Sequence, residues 1–230
     1  MVFDFRVSEP ENRFTLFLET LLAGARKDTM ATQTAGQPPD IEAEKARLRT
    51  AAFAGRGRID SVQRAEFSEI ICRHFSEGVV LGPEDIVACY WPIRDEVDCQ
   101  PLLTQLVDAG QPVCLPVVTA PDAPLDMRLW EPGQALYPAG FGTLAPDDLS
   151  QLVVPDLIVL PLVGFDATGT RLGYGGGHYD RTLDALEKRP RLIGLAFSVQ
   201  ELAYVPRAAH DVPLDAVVTE LGLRAFGEAG

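Results

Sequence analysis

An α/β fold, with a mostly parallel central sheet flanked by helices on both faces of a single compact domain, is what this sequence predicts. Two short and uniformly apolar runs, residues 86–91 and 157–160, read as strands buried on both sides, as the strands of parallel sheets are. Segments of helical composition alternate with such runs along the chain, which is the order that βαβ units require. The 230 residues are enough to bury a sizeable single core.

Residues 1–40 differ from the rest and read as a variable, flexible N-terminal extension to a domain spanning 41–225. Phe14, Phe17, Leu18, Leu21 and Leu22 are spaced for one short amphipathic helix. Residues 28–40 are small, polar and proline-bearing, the composition of a linker. Met30 lies in that linker, and translation starting there would make 1–29 an extension that the cell never synthesises. Residues 41–55 are rich in Glu, Lys, Arg, Leu and Ala, and Gly55 supplies a helix stop. Residues 61–75 read as a second helix, with Val62, Phe67, Ile70 and Ile71 near one side. The strand at 86–91 ends at Pro92. A helix over 101–109 precedes a strand at 113–115. A short strand is expected at 127–130, then loop through the Pro- and Gly-rich stretch 131–151. After the strand at 157–160 come a glycine run, a helix over 179–188, and strands at 192–197 and 216–219.

Composition limits the function. The formal net charge is −13, and such a surface repels phosphate backbones, so nucleic acid is not an expected partner. A phosphorylated small molecule would need a local cationic pocket. Cys72, Cys89, Cys99 and Cys114 form no C-x-x-C pair and read as buried free thiols of a reducing compartment. No apolar stretch approaches the ~20 residues that span a bilayer. Residues 1–10 lack the basic and apolar regions of a secretory signal. A cytoplasmic protein without a membrane partner is the expectation.

The chemistry concentrates in residues 161–181. This segment follows a buried strand and opens a helix, and ligands of open α/β sheets bind at the carboxyl ends of strands. Gly173, Gly175, Gly176 and Gly177 fall within five positions. Such a run is costly in chain entropy and makes sense where backbone must approach a ligand closely. Its N–H groups, with those of the helix start, suit an anion. Arg171 and Arg181 flank it and can add charge-assisted bonds to phosphate oxygens. Asp180 stands in the first helical turn, where Mg²⁺ between carboxylate and phosphate would relieve repulsion. Neither a P-loop nor a dinucleotide fingerprint is present: there is no G-K-[ST] and no third glycine in the G-x-G-x-x-G frame.

Phe165-Asp166-x-x-Gly169-x-Arg171-Leu172-Gly173-x-Gly175-Gly176-Gly177-x-Tyr179-Asp180-Arg181 closely resembles the signature of 5-formyltetrahydrofolate cyclo-ligases. Lys45-x-x-Leu48-Arg49 resembles that family's N-terminal basic motif. Tyr90-Trp91-Pro92 with Glu96-Val97-Asp98 resembles its folate-side segment. The run Leu192-Ile193-Gly194-Leu195-Ala196-Phe197, followed by Gln200, Pro206, His210-Asp211, Leu214-Asp215 and Thr219-Glu220, resembles its C-terminal segment. The resemblance covers about residues 43–220.

The resemblance implies an enzyme that converts 5-formyltetrahydrofolate to 5,10-methenyltetrahydrofolate with ATP and Mg²⁺, through a phosphorylated formyl intermediate. ADP and phosphate would be released. It implies ATP contacts at Lys45, Arg49, Arg171, Gly173, Tyr174, Gly175, Gly176, Gly177, His178 and Tyr179, with Arg171 and Tyr179 as the catalytic pair. It places Mg²⁺ at Asp180 and Asp211. It places folate at Trp91 and Glu96, with Trp130 as a weaker stacking candidate for the pterin. Lys45 and Arg49 are four apart, so they project from one helix face. Glu96 can accept hydrogen bonds from a pterin N–H edge. Tyr179 would orient either the formyl oxygen or a phosphate. His210 reads as a surface or capping residue.

There are two departures from the family pattern. His178 stands where the family usually has an aromatic, and Ala145-Pro146 stands where it usually has Glu-Pro. Two other readings remain open: a non-catalytic paralogue that binds nucleotide or folate without turnover, and an ATP-dependent enzyme for another small molecule, with which folate would not compete.

Overall fold

The computed structural model describes residues 40–131, 133–209 and 211–227. The expected extension, apart from Asp40, therefore lies outside the described residues, and so does the helix expected around Phe14 to Leu22. Four α-helices are described: α1 (Ile41–Arg56), α2 (Ser61–Gly78), α3 (Gln100–Asp108) and α4 (His178–Ala185). Local chemistry starts each of them. Asp40 caps α1 by accepting from the backbone N–H groups of Glu42 and Ala43, and Glu42 and Glu44 complement the dipole in its first turn. Asp60 caps α2 in a reciprocal box with Gln63. Pro101 sits at the start of α3, where its missing N–H costs nothing. Gly177, at φ +65°, turns the chain into α4.

Seven strands form the central sheet: β1 (Val87–Ala88), β2 (Val113–Val118), β3 (Leu125–Trp130), β6 (Leu157–Pro161), β9 (Arg191–Leu195), β10 (Ala216–Thr219) and β11 (Gly222–Ala225). Their order is β11-β10-β9-β6-β1-β2-β3. The inner strands β10, β9, β6, β1 and β2 pair in parallel, while β3 and β11 close the two edges antiparallel. Two small hairpins stand apart: β4 (Tyr137–Pro138) with β5 (Leu144–Ala145), and β7 (Gly164–Phe165) with β8 (Arg171–Leu172).

Alternation along β6 shows why this is a double-faced sheet. Leu157 and Val159 pack toward α2 and α3, against Ile71, Phe75, Leu102 and Leu106. Ile158 and Leu160 pack the other way, in the cluster that holds Leu183 of α4. All four are at most 1% exposed, which is why the run reads as uniformly apolar. A third, smaller cluster joins Ala52 of α1 to Val163, Leu172 and Val205 just beyond the carboxyl end of β6. The expected fold class holds, with helices on both faces. The four cysteines are free and buried. Burial pushes the Cys72 thiol up to about 11 and the Cys114 thiol up to about 12. Among the described residues, no helix is long and apolar enough to cross a membrane.

The structure alters some element boundaries. The expected strand at 86–91 is regular only at Val87–Ala88, because from Tyr90 onward the chain leaves the sheet. The stretch 131–151 is not all loop: it carries β4, a 3₁₀ turn at Gly140–Gly142 and β5. The edge strand β11 was not foreseen.

Candidate active site

The strand order reverses direction between β1 and β6: β2 lies on one side of β1 and the later strands on the other. Such a switch point opens a crevice at the carboxyl ends of the flanking strands. The segment after β1 carries Trp91 and Glu96, and the segment after β6 carries the glycine bend, so both candidate stretches leave the sheet at that crevice.

A tight turn aims Arg171. Asp166 is 2% exposed, and its Oδ1 accepts from the backbone N–H groups of Thr168 and Thr170 and from the Thr168 hydroxyl. Its Oδ2 accepts from Val205 N–H at 2.9 Å. Gly169, at φ +80°, completes the turn, and a Cβ there would stand 2.8 Å from the Phe226 ring. Asp166 and Gly169 of the signature therefore shape the β7–β8 hairpin rather than touch a ligand. The hairpin delivers Arg171, whose guanidinium donates to Asp180 and to the Val212 carbonyl.

From α1, Lys45 is 5% exposed, and its Nζ donates to Asp211 Oδ2 at 2.6 Å. One turn later, Arg49 Nε donates to the Gly173 carbonyl at 2.9 Å. Gly175, at φ +98°, packs so near Arg49 that a Cβ would meet its guanidinium carbon at 3.3 Å. Lys45, Arg49, Arg171, Asp180, Asp211 and the bend thus form one cluster, assembled from α1, β8, α4 and the loop before β10. His178 Nδ1 lies 3.1 Å from the Ala123 carbonyl and 3.4 Å from Arg181, which ties the start of α4 to the β2–β3 turn. His210 is outside the described residues.

On the other side of the crevice, Glu96 is 6% exposed and accepts from Ile93 N–H at 2.9 Å. Burial raises its pKa from the ordinary glutamate value. Tyr179 lies between the two sides, half-buried, and burial raises its phenol far above the ordinary value. Its hydroxyl keeps its proton and serves as a donor. Trp91 is half-buried where the chain leaves β1.

Trp130 is not brought to this crevice. It pairs with Val113, the first residue of β2, at the amino end of the parallel strands. That is roughly 17 Å, five strand steps, from the carboxyl end of β2. Its indole packs on the core and its Nε1 points to the Gln134 carbonyl at 3.4 Å. Ala145 lines an open cleft of about 410 Å³ between the β4–β5 hairpin and the carboxyl end of β2, with Val118, Tyr137 and Asp147 among its walls.

Two residues the sequence did not single out belong to the crevice. Arg56 is 1% exposed and its Nη2 donates to Asp95 Oδ1 at 2.6 Å. In sequence Arg56 looks like a basic residue of a last helical turn, and Asp95 like a loop acid, so nothing marked them.

The residues 41–220 match the model of the 5-formyltetrahydrofolate cyclo-ligase family. Among curated proteins, the 5-formyltetrahydrofolate cyclo-ligase of Escherichia coli (strain K12) is 37% identical over 139 residues, 58% of this chain and 76% of that protein. The protein of the same name from Mycolicibacterium smegmatis is 30% identical over 183 residues, 76% of this chain and 93% of that protein. Among solved structures, the 5,10-methenyltetrahydrofolate synthetase of Aquifex aeolicus superposes with a TM-score of 0.71 at 29% identity, covering 81% of this chain and 94% of that one. With the strand-end crevice and its glycine bend, these matches lead to one conclusion: the chain belongs to the 5-formyltetrahydrofolate cyclo-ligase family of enzymes.

Proposed function

We propose that this enzyme closes 5-formyltetrahydrofolate to 5,10-methenyltetrahydrofolate, consuming ATP in the presence of Mg²⁺. The observation that supports this reading is the convergence of Lys45, Arg49, Arg171, Asp180 and Asp211 on the glycine bend. The N5-formyl group is an amide, with a weakly electrophilic carbon and an oxygen that leaves poorly. The formyl oxygen attacks the γ-phosphorus, the bond to the β-phosphate oxygen breaks, and ADP departs. The N10 lone pair then attacks the formyl carbon, the C–O bond breaks, and phosphate leaves as N10 loses its proton. Positioning and charge neutralisation are the protein's task in such a transfer.

In this reading the backbone of Gly173 to Gly177 and the side chains of Lys45, Arg49 and Arg171 hold the triphosphate. Glu96 and Trp91 orient the pterin, and the protonated Tyr179 donates to the formyl oxygen or to a phosphate. Asp180 and Asp211 fit Mg²⁺, a hard cation that takes one or two carboxylates and completes its shell with phosphate oxygens. Both flank the Arg171 guanidinium, which bonds Asp180 on one side and the Val212 carbonyl, next to Asp211, on the other. When bound, the cation would neutralise charge on the phosphoryl oxygens. Each carboxylate already has a cationic side chain as partner, so metal binding would exchange partners, and the freed Lys45 and Arg171 charges would turn to the phosphate oxygens.

The test is direct. Purified protein mixed with 5-formyltetrahydrofolate, ATP and Mg²⁺ is expected to give a rising near-ultraviolet absorbance of the methenyl product. A flat trace from folded protein rejects the proposal. Arg171→Ala and Asp180→Ala are each expected to cut turnover at least about a hundredfold, the scale on which single charge-stabilising groups act. Unchanged turnover in both would contradict the assignment.

A further inference from the structure

Between the glycine bend and the segment after β1, the Arg56 guanidinium binds three separate stretches of chain. It donates to Asp95 Oδ1 at 2.6 Å, to the Tyr174 hydroxyl at 3.2 Å and to the Leu162 carbonyl at 3.3 Å. It lies 5.3 Å from the Phe53 ring centroid and 6.0 Å from that of Tyr174. Those two rings pack at 5.6 Å. A guanidinium this deeply buried is tolerated only where its charge is matched, and here Nη1 and Nη2 find partners in the Asp95–Glu96 turn, the bend and the end of β6, while the buried Nε is left without one. The Tyr174 hydroxyl is thereby tied to the Asp95–Glu96 turn through the Arg56 Nη2, which donates to both Tyr174 and Asp95.

Tyr174 therefore belongs to the bend through its backbone and to the pterin side through its hydroxyl. Its neighbours Gly173 and Gly175 give that stretch a backbone freedom that side chains would deny. The Asp95–Glu96 turn is held under tension at Arg94, a non-glycine residue at φ 55°. Phosphate captured by the bend would fix Tyr174, and through the Arg56 bonds to Tyr174 and Asp95 it would fix the turn that carries Glu96.

We propose that Arg56 and Tyr174 are positioning residues that couple the two substrate sites, so that nucleotide in the bend tightens binding of the reduced folate at Glu96, and the reverse. This rests on the functional reading above. By linkage the two effects are equal in size.

The experiment is calorimetric titration of 5-formyltetrahydrofolate, with and without a non-hydrolysable ATP analogue and Mg²⁺, on wild type, Tyr174→Phe and Arg56→Lys. Tyr174→Phe keeps the ring and removes only the hydroxyl, so it remains informative should Arg56→Lys fold poorly. In the wild type the analogue is expected to tighten folate binding about tenfold, within the usual range of coupling between sites. In Tyr174→Phe the ratio of folate affinities with and without the analogue falls close to one, whatever the change in either ligand's own affinity. The double variant is expected to lose no more coupling than either single variant, as members of one chain do. Intact binding with wild-type coupling in Tyr174→Phe overturns the relay alone. A wild type that binds both ligands independently also overturns it. A wild type that binds neither ligand overturns the functional reading and the relay with it.

Discussion

Glu96 is a buried carboxyl group with its Oε2 committed to a backbone N–H. Burial raises its pKa from the folded side, so the folded state binds more protons than the unfolded chain as pH passes upward through the carboxylate range. The stability associated with the protonated form is complete below the unfolded value and is lost as pH rises through the raised folded value. Glu96→Gln removes that cost and keeps an oxygen for Ile93. The expected result is an unchanged or higher melting temperature at neutral pH with a lower kcat/KM for folate, checked by thermal unfolding and steady-state kinetics. Gly175→Ala tests the bend. At φ +98° a side chain is strained, by about 1–2 kcal/mol, and the new Cβ presses on the Arg49 guanidinium. KM for ATP is expected to rise well beyond any change in KM for folate. At this scale the sequence disclosed the bend, Arg171 and the basic pair on α1, because glycines, arginines and an i, i+4 spacing leave local marks. Arg56 and Asp95 left none, since their meeting depends on how α1 crosses the crevice. Trp130 misled because an aromatic in a strand looks alike at either end of the sheet.

Secondary-structure elements have their own vulnerabilities. The Asp60 box starts α2, and Asp60→Ala is expected to cost about 1 kcal/mol of stability by denaturant titration without altering kcat, because α2 packs beneath the sheet face and not in the crevice. Gly194 in β9 is a packing glycine. A Cβ there would stand 2.5 Å from Leu162 Cδ1 and 3.0 Å from Leu214 Cδ1. Gly194→Ala is therefore expected to destabilise by about 1–3 kcal/mol through overpacking. The inner strands were legible because they are apolar on both faces. The edges were harder. β11 is exposed along nearly all of its short length, so it carries no buried stripe, and β3 runs antiparallel to β2 through a turn that composition alone did not assign. The β4–β5 hairpin is two residues per strand, below the length at which period-two alternation can register.

For the whole molecule, a chain of net charge −13 gathers its cations where phosphate would enter. ATP with Mg²⁺ is expected to raise the melting temperature, since a ligand at about a hundred times its Kd stabilises by about 2.7 kcal/mol. Chelating the metal should reduce the shift given by ATP. An equal shift with and without chelator would argue against Asp180 and Asp211 as the metal carboxylates. One seven-stranded sheet runs through the described residues, with two small hairpins beside it, so ligand stabilisation of one end is expected to be felt along the sheet.

The buried cysteines give that sheet a built-in clock. Cys89 faces the side covered by α2 and α3, and Cys114 the side covered by α4. Neither can meet an alkylating reagent until its own layer lifts, so mass-resolved labelling over time would report how often each half of the sandwich breathes, and whether the two halves open together or one at a time.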